Sequence, residues 1–337
     1  MEPTFIERIL LEAIFRLEGE RTDRSLFHVI QGKRSATTLQ DAHFYRLDSL
    51  FGMVPLDPKG YEEQLNNLIR KGWIRNVPFE LTEEGRGLIG HTFIVDGLGG
   101  ECRGYSLILW KRFSLLLQTL LCLKQKTTFI PVQQDEGTKS WVRHTLRTIE
   151  DRDAWIETAY RELRNALESL EGEDATLITY RLSGNRTGLS LPQLAERLDV
   201  DTLSIRMQFQ QAWVSCLKSL PESGLIHGLA RDVSRDKMTT SAARTYELLR
   251  LGLSIEEIKS RRRLKDSTME DHLVEIAMYG DRFPLEQFVP ESVAKEIRMI
   301  QQSEGTFALK RIRQNMKQEC SYFQIRIVLA RLVKEVL

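Results

Sequence analysis

The sequence TTSAARTYELLRLGLSIEEIKSRRRLKDSTMEDHLVEIAMYG, residues 239–280, predicts three short helices in succession. Apolar side chains recur at helical spacing over 242–251, and Gly252 is a residue type that commonly ends a helix. Ser254 followed by Glu257 is a capping box, in which each side chain accepts a hydrogen bond from the other residue's backbone. A second helix is therefore predicted to begin directly after Ser254.

The same signals recur in the second half of this stretch. Ser267 and Glu270 have the spacing of another capping box, so a third helix is predicted there. Its inward stripe consists of apolar residues at helical spacing, namely Met269, Leu273 and Ile276. Two short capped helices joined by a four-residue turn are the layout of a helix-turn-helix.

Positive charge is concentrated just before the third predicted helix. In a helix-turn-helix, the N-terminal turn of the second helix of the pair enters the major groove, while neighbouring cations contact phosphates. We therefore expect DNA contacts from the cations Lys259, Arg261, Arg262, Arg263 and Lys265 and from the polar residues Ser267, Thr268 and His272.

Other interpretations of this segment stay open. A run such as SRRRLK is equally typical of a solvated turn that binds nothing. His272 is one position in a motif, and packing or capping would explain it as well as a base contact. Asp271 and Glu275 lie on the same predicted helix and would repel phosphates unless they point away.

The N-terminal part is helical and ends in a pattern typical of a winged helix. Glycine and proline residues separate four predicted helices, over 5–17, 23–31, 35–51 and 58–71. The following sequence KGWIRNVPFELTEEG, residues 71–85, contains two short apolar runs on either side of Pro78, as expected for a wing. Residues 1–96 are therefore predicted to form a winged-helix-like domain that docks protein or DNA.

Residues 97–174 are predicted to form a helical middle segment. It begins with GLGGECRG, residues 97–104, which lacks the context of a dinucleotide-binding motif and is interpreted as a loop between domains. The most apolar stretch, 105–123, contains Lys111 and Arg112 at its middle. Because two charges at a bilayer centre would be costly, this stretch is predicted to be a buried helix of a soluble protein.

Residues 175–234 contain a second and less specific helix-turn-helix pattern. Ser190 and Gln193 have capping-box spacing, and Pro192 falls in the first helical turn, where its missing N–H has no cost. The predicted fold class is therefore mainly all-α, a multi-module helical protein. Its modules are the winged-helix-like domain 1–96, the helical middle segment 97–174, and helix-turn-helix units at 175–234 and 235–337.

Charge is nearly balanced over the whole chain but not along it. The 48 Lys and Arg residues against 47 Asp and Glu give a net charge of +1 in 337 residues. Residues 1–90 carry −2, residues 91–230 carry −1 and residues 231–337 carry +4. This distribution argues against coating of nucleic acid or anionic membrane along the whole length, and favours a nucleic-acid partner only at the C-terminus.

The sequence contains none of the common catalytic or metal-binding motifs. GxxxxGK[ST], HExxH, CxxC and GxSxG are all absent, the six histidines are scattered, and the four cysteines form no close pair. We therefore expect a protein that is not an enzyme and binds no cofactor and no metal. The N-terminus lacks a signal-peptide pattern, so a cytoplasmic location with reduced thiols is predicted.

Residues 239–280 and the closing sequence GTFALKRIRQNMKQECSYFQIRIVLARL, residues 305–332, resemble the helicase-associated helix-turn-helix of some bacterial RecQ-type DNA helicases. This module also occurs in a stand-alone family of Gram-positive bacteria, the YpbB-type family, which the leading segment and FIPVQQDEGTKSWV (129–142) also resemble. The sequence departs from the motif at Lys259, where a small residue is usual, and at Arg263, where a glycine-like turn residue is common. The matching positions are Thr245, Leu248, Gly252, Ser254, Glu257, Ile258, Arg262, Leu264, Ser267, Thr268, Glu270, His272, Leu273, Glu275, Ile276, Tyr322, Ile325, Arg326, Val328, Leu329 and Ala330.

The resemblance implies a non-enzymatic accessory protein of a RecQ-like DNA helicase. The partner would supply the ATPase, and the C-terminal helix-turn-helix would contact duplex or branched DNA. Two alternatives stay open: a pure protein–protein interaction scaffold in DNA repair or replication, and a transcription regulator. The mildly acidic first two-thirds favours the scaffold, whereas a regulator would need a symmetric dimer and the sequence shows no dimerisation heptads.

Overall fold

The computed structural model describes residues 2–17, 19–52, 54, 56–89, 102–184, 186–233 and 238–336. The described chain is mainly helical, which confirms the predicted fold class, and it contains a single two-stranded hairpin. Tertiary contacts divide the chain into unit 1, formed by Met1–Ile9 and Gly90–Arg235, and unit 2, formed by Leu10–Ile89 and Asp236–Leu337. The finer division into four modules stays a prediction.

Unit 1 is built around a long apolar helix, α6. Its helices are α6 (Cys102–Gln125), α7 (Glu136–Thr145), α8 (Arg152–Glu168), α9 (Gly172–Arg181), α10 (Leu191–Leu198), α11 (Thr202–Ser219) and α12 (Leu225–Gly228). Trp110 and Phe113 of α6 pack against Trp213 of α11, with ring centroids 5.0 and 6.0 Å apart. Trp213 Nε1 also donates a hydrogen bond to the Ser106 carbonyl at 2.9 Å. The two helices therefore share one aromatic core.

Helix α6 is long and apolar enough to cross a membrane by length and composition. Most of this stretch is nevertheless buried within unit 1. Arg112 lies at its middle, where the guanidinium pairs with Asp232 at 2.5 Å and lies over the Trp141 ring. The prediction of a buried helix is therefore confirmed, whereas the cytoplasmic location stays a prediction. Of the predicted loop 97–104, residues up to 101 lie outside the described residues, and 102–104 begin α6.

The helix pair predicted in the middle region is also present. The capping box of Ser190 and Gln193 starts α10, which ends at Asp199 with a left-handed backbone conformation, φ +55°. Four apolar residues of α10 and α11 are buried between the helices of unit 1, namely Leu194, Ala195, Ile205 and Phe209. The sequence signals therefore locate this pair correctly.

Unit 2 combines helices from both ends of the chain. From the N-terminal part it contains α1 (Phe5–Leu17) from Leu10 onward, α2 (Asp23–Gln31), α3 (Ala36–Phe44), a 3-10 turn (Asp48–Leu50), α4 (Pro58–Arg70), β1 (Ile74–Arg75), β2 (Glu80–Leu81) and α5 (Glu83–Gly87). From the C-terminal part it contains α13 (Thr240–Arg250), α14 (Ile255–Arg262), α15 (Asp266–Tyr279), a 3-10 turn (Leu285–Gln287), α16 (Glu291–Glu304), α17 (Leu309–Asn315) and α18 (Tyr322–Val336).

In the N-terminal part, the structure corrects the length of one helix and contains a strand pair. The helix predicted over 35–51 is wrong in length, because α3 ends at Phe44 and Arg46 then adopts a left-handed conformation, φ +54°. Strands β1 and β2 pair antiparallel, Ile74 with Leu81, where the sequence predicts a wing. The winged-helix assignment itself stays a prediction.

Helices α15 and α18 lie at the centre of unit 2, and α3 packs against both. The middle of α18 is enclosed on every side, because the four consecutive apolar residues Ile327 to Ala330 are fully buried, as is Ile325. His43 Nε2 donates to the Ala330 carbonyl at 3.0 Å. Arg326 donates to Gln40 Oε1 and to Asp271 Oδ1, each at 2.6 Å. The N-terminal helices therefore complete the core of the C-terminal region.

A second link between the two parts of unit 2 centres on Glu20. Its carboxylate accepts hydrogen bonds from the Tyr45 hydroxyl at 2.8 Å, from the Phe307 N–H at 2.9 Å and from the Thr306 hydroxyl. The Phe307 ring lies 5.7 Å from the rings of both Phe44 and Tyr45. Residues 10–89 and 236–337 thus share one core of apolar and hydrogen-bonded contacts.

Candidate nucleic-acid interface

Helices α13, α14 and α15 form the region in which the sequence predicts a helix-turn-helix. The Ser254 N–H donates to Glu257 Oε2 at 2.7 Å, and the Glu257 N–H donates to Ser254 Oγ at 3.3 Å. These hydrogen bonds confirm the predicted capping box at the start of α14. The Ser254 hydroxyl also donates to Glu257 Oε2 at 2.7 Å, and this bond, together with that from the Ser254 N–H, holds the pKa of Glu257 below its usual range. Gly252 precedes it with φ +86°, a conformation that glycine adopts without strain.

The turn between α14 and α15 contains three residues, Arg263, Leu264 and Lys265, one fewer than predicted. Arg263 has a left-handed backbone, φ +53° and ψ +46°, which costs a non-glycine residue about 1–2 kcal/mol. The Leu264 N–H donates to the Lys259 carbonyl at 3.0 Å and closes the turn. Arg263 therefore has the backbone conformation of the glycine-like residue that is common at this position.

Helix α15 begins at Asp266, so the predicted capping box of Ser267 and Glu270 is wrong. The N-cap is Lys265, whose side chain makes no capping hydrogen bond. Ser267 lies inside the first turn, whereas a capping hydroxyl must belong to the residue before the helix. Asp266 places a negative charge at the helix N-terminus, which is favourable, and pairs with Lys259 at 2.5 Å.

His272 lies inside the helix-turn-helix region. It is 6% exposed, and its Nδ1 is hydrogen-bonded to the Thr245 hydroxyl at 2.9 Å. Burial, together with the nearby charge of Arg262, lowers the pKa of His272 and favours the neutral imidazole. Of the interpretations that the sequence leaves open, this geometry favours packing.

Two of the five predicted DNA-binding cations hold helices together. The Arg262 guanidinium donates to the Ser241 carbonyl at 2.9 Å, to the Ser241 hydroxyl at 3.0 Å and to the Thr245 hydroxyl. Lys259 pairs with Asp266 and with Glu256, and these partners raise the pKa of Lys259. Both side chains are half-buried, so neither is as accessible as its neighbours.

The other three cations face solvent. Arg261, Arg263 and Lys265 are exposed, as is Ser267, and Thr268 is half-buried. Within the described parts of the chain, none of the three cations pairs with a carboxylate. They occupy the end of α14 and the turn that leads into α15, and we call these three residues the basic turn. Their charge is therefore available to an anionic ligand.

Two carboxylates of α15 that could oppose phosphate binding, Asp271 and Glu275, are engaged within unit 2. Glu275 is buried and accepts hydrogen bonds from the Thr239 N–H and, at 3.0 Å, from the Thr239 hydroxyl. Burial raises the pKa of Glu275. Asp271 pairs with Arg326 at 2.6 Å. Asp271 and Glu275 therefore have partners within unit 2, as is required if this helix is to bind DNA.

Sequence reasoning does not single out Arg244, which the structure places beside this surface. Arg244 is exposed on α13 and close enough to Arg262 that its charge, after burial, helps to lower the pKa of Arg262. The available signal is helical periodicity, because Ser241, Arg244, Thr245 and Leu248 share one face of α13. The contact of that face with α14 is a tertiary feature.

The described residues offer no metal site. No group of three or more histidine, cysteine or acidic side chains among them could hold a metal ion. Cys122, Cys216 and Cys320 are buried. Burial raises the pKa of Cys216 to about 12 and also raises the pKa of Cys320, which disfavours the reactive thiolate at both. The expectation that the chain binds no cofactor stays a prediction.

Comparison with known proteins agrees with this geometry. Residues 241–329, which include the basic turn, match a family model described as a helix-turn-helix domain. The chain is 29% identical to Protein YpbB of Bacillus subtilis (strain 168) over an alignment of 350 residues, which covers 99% of each chain. No solved structure matches the chain. The chain is thus similar to Protein YpbB along nearly its whole length, and its residues 241–329 form a helix-turn-helix domain.

Proposed function

We propose that this protein is a non-enzymatic accessory protein of a RecQ-like DNA helicase and that its helix-turn-helix domain binds DNA. The match of residues 241–329 to a helix-turn-helix domain supports DNA binding, and the similarity to Protein YpbB supports an accessory role. The helicase partner is suggested by the resemblance of the C-terminal sequence to the helicase-associated module. In this scheme the partner hydrolyses ATP, and the winged-helix-like N-terminal region docks it.

The basic turn is the observation that carries the DNA-binding part of the proposal. Arg261, Arg263 and Lys265 are exposed beside the first turn of α15, the helix that enters the groove in this class of domain. Cations in this place neutralise phosphates and release counterions, so binding is expected to weaken as salt increases. Ser267 and Thr268 add hydroxyl groups in that first turn.

The sharpest test removes charge from the basic turn without harming the fold. In the double variant Arg263→Gly and Lys265→Ser, glycine suits the left-handed turn and serine supplies the missing N-cap side chain. We expect a protein at least as stable as the wild type whose DNA affinity falls roughly tenfold at ~100 mM salt, with a shallower salt dependence.

The matched control removes two exposed lysine charges from unit 2 outside the basic turn, through Lys310→Gln and Lys317→Gln. We expect the control to bind DNA nearly as well as the wild type. The DNA-binding proposal is contradicted if the full-length protein binds no duplex, forked or single-stranded DNA at ~50 mM salt. It is equally contradicted if the Arg263→Gly, Lys265→Ser variant binds as the wild type does.

A second candidate function is a protein-interaction scaffold for DNA repair or replication. Its support is that α15 begins with exposed Asp266 and carries half-exposed Glu270 one turn later, and both charges oppose phosphates. A largely apolar depression of about 410 Å³, lined in part by Tyr246, Phe283 and Phe288, also suits a protein ligand.

Co-purification of the full-length protein from cells, with and without nuclease, separates the two candidates. A helicase that remains bound after nuclease treatment, together with DNA binding by the isolated protein, is the result expected of the accessory protein. A nuclease-resistant complex without DNA binding would favour the scaffold. Loss of every helicase from the purified material would exclude the helicase partner.

A further inference from the structure

A depression of about 380 Å³ opens between α13 and α14 in unit 2. Arg244 and Leu248 of α13 line one side, and Arg261 and Arg262 of α14 line the other. Three arginine residues therefore line one depression, and none of the described residues that line it carries a carboxylate. An ordinary solvated helix surface carries both cations and carboxylates, whereas the charged residues that line this depression are all cations.

Two of the guanidinium groups at this depression, those of Arg244 and Arg262, repel one another. The charge of Arg244 adds to burial in lowering the pKa of Arg262. Within the described part of the chain, neither Arg244 nor Arg261 pairs with a carboxylate that would offset the repulsion. Like charges held together in this way raise the free energy of the empty site, and an anion between them would relieve it.

Arg262 is already held in one orientation. Its guanidinium donates to both oxygens of Ser241 and to the Thr245 hydroxyl, which anchors it to α13. A guanidinium has five N–H donors in a planar fork, so donors remain for a ligand in the depression. Because the group is ordered beforehand, a ligand loses little of its binding energy to ordering it.

We propose that this depression binds a phosphate group. The planar fork of arginine matches the geometry of phosphate oxygens, and a cavity of this volume accommodates a phosphate with part of an adjoining sugar. Arg261 belongs both to the depression and to the basic turn, so the two form one continuous cationic surface. Resting on the proposed function, we assign the phosphate to the DNA backbone, with Arg244 on α13 as a contact outside the helix pair.

The variant Arg244→Gln tests the site directly, because Arg244 is exposed and its loss leaves the anchoring of Arg262 intact. The matched control is Arg250→Gln, which removes the same charge from the same helix but lines a different depression. Arg262 is left unchanged, since it joins α13 to α14.

The first measurement uses inorganic phosphate alone, added to the full-length protein at constant ionic strength, with the arginine Nε–H signals followed by NMR. We expect saturable shifts in the wild type and in Arg250→Gln, and at least a severalfold weaker response in Arg244→Gln. Absence of saturable binding in the wild type, or an equal response in Arg244→Gln, would overturn the site.

The second measurement uses duplex DNA across a salt series. Arg244→Gln is expected to bind roughly three- to tenfold more weakly than Arg250→Gln at ~100 mM salt, on every sequence tested, with a salt slope smaller by about one. If the wild type binds phosphate but no DNA, the proposed function fails while the phosphate site stands. If the wild type binds DNA and Arg244→Gln binds equally well, the assignment to the DNA backbone fails while DNA binding stands.

Discussion

His272, Thr245 and Arg262 form a hydrogen-bonded group inside the helix-turn-helix region. The Thr245 hydroxyl accepts a hydrogen bond from Arg262, and its own hydrogen is within reach of two acceptors, Nδ1 of a neutral His272 at 2.9 Å and the Ser241 carbonyl at 3.4 Å. A protonated His272 would place a second donor against this hydroxyl and a second positive charge beside the guanidinium. Burial, the largest cause, and the charge of Arg262 together lower the pKa of His272 against the smaller opposing effect of Asp271.

The pH dependence of stability tests this arrangement at the scale of one residue. The unfolded chain accepts a proton on His272 near pH ~6.5, whereas the folded protein accepts it at lower pH. The contribution of neutral His272 to the free energy of unfolding is therefore fully present above the pKa of the unfolded chain. It is lost as the pH falls through the lower pKa of the folded protein. We expect the free energy of unfolding, measured with urea, to fall between about pH 7.5 and pH 5 more steeply in the wild type than in His272→Gln.

The control for this prediction is His144→Gln, which changes an exposed histidine. Its unfolding free energy should follow the wild type across the same pH range. A wild-type pH profile that coincides with that of His272→Gln would mean that His272 is as easily protonated in the folded protein as in the unfolded chain.

At the scale of elements, α14 and α15 start in different ways. Helix α14 is eight residues long, too short to be stable by itself, and its first turn depends on the reciprocal hydrogen bonds of Ser254 and Glu257. Helix α15 is longer and lacks a side-chain cap, and buried apolar contacts hold it along most of its length. Local sequence signals therefore matter more for α14 than for α15.

Two serine substitutions measure this difference. Ser254→Ala removes a capping hydroxyl and is expected to cost about 1 kcal/mol in the free energy of unfolding. Ser267→Ala changes an exposed residue inside the first turn of α15 and is expected to change that free energy by less than about 0.5 kcal/mol. Urea unfolding of the full-length protein gives both values. Equal costs would indicate that Ser267 caps α15 after all.

At the scale of the whole molecule, the helix-turn-helix domain depends on the N-terminal part of unit 2. Helix α3 packs against both α15 and α18, and Glu20 accepts hydrogen bonds from residues 306 and 307. Removal of residues 10–89 would expose one side of two apolar helices. A truncated C-terminal region is therefore a poor substitute for the full chain in binding experiments.

We expect residues 236–337 expressed alone to show reduced helicity by circular dichroism and no cooperative thermal unfolding. Co-expression with residues 10–89 is expected to restore both, because the two segments together form the described core of unit 2. The matched comparison is the full-length protein under the same conditions. A cooperative transition of residues 236–337 alone at the midpoint of the full-length protein would contradict this dependence.

The sequence by itself determined where most helices lie and what charge the turn carries. Its signals are local. Capping boxes at Ser190 and Ser254 act through hydrogen bonds between residues three positions apart, glycines with positive φ allow helices to end, and apolar residues at helical spacing lie on one helix face. The charge of the basic turn is also a local feature, because its three residues lie within five consecutive positions of the chain. The predicted start of α15 after Ser267 is wrong, because the helix begins at Asp266. Tertiary contacts and the pairing of Lys259 with Asp266 outweigh the capping pattern at Ser267.

The tertiary structure alone decided which of the predicted site residues face solvent. The burial and the charge interactions of a side chain depend on residues far apart in the chain. Buried His272 is hydrogen-bonded to Thr245 of α13, and Ser241 of the same helix accepts a hydrogen bond from Arg262. The same packing brings Arg244 to Arg261 and joins the two ends of the chain in one unit. No local pattern records these contacts, because each arises from the fit of apolar helix faces that only folding brings together.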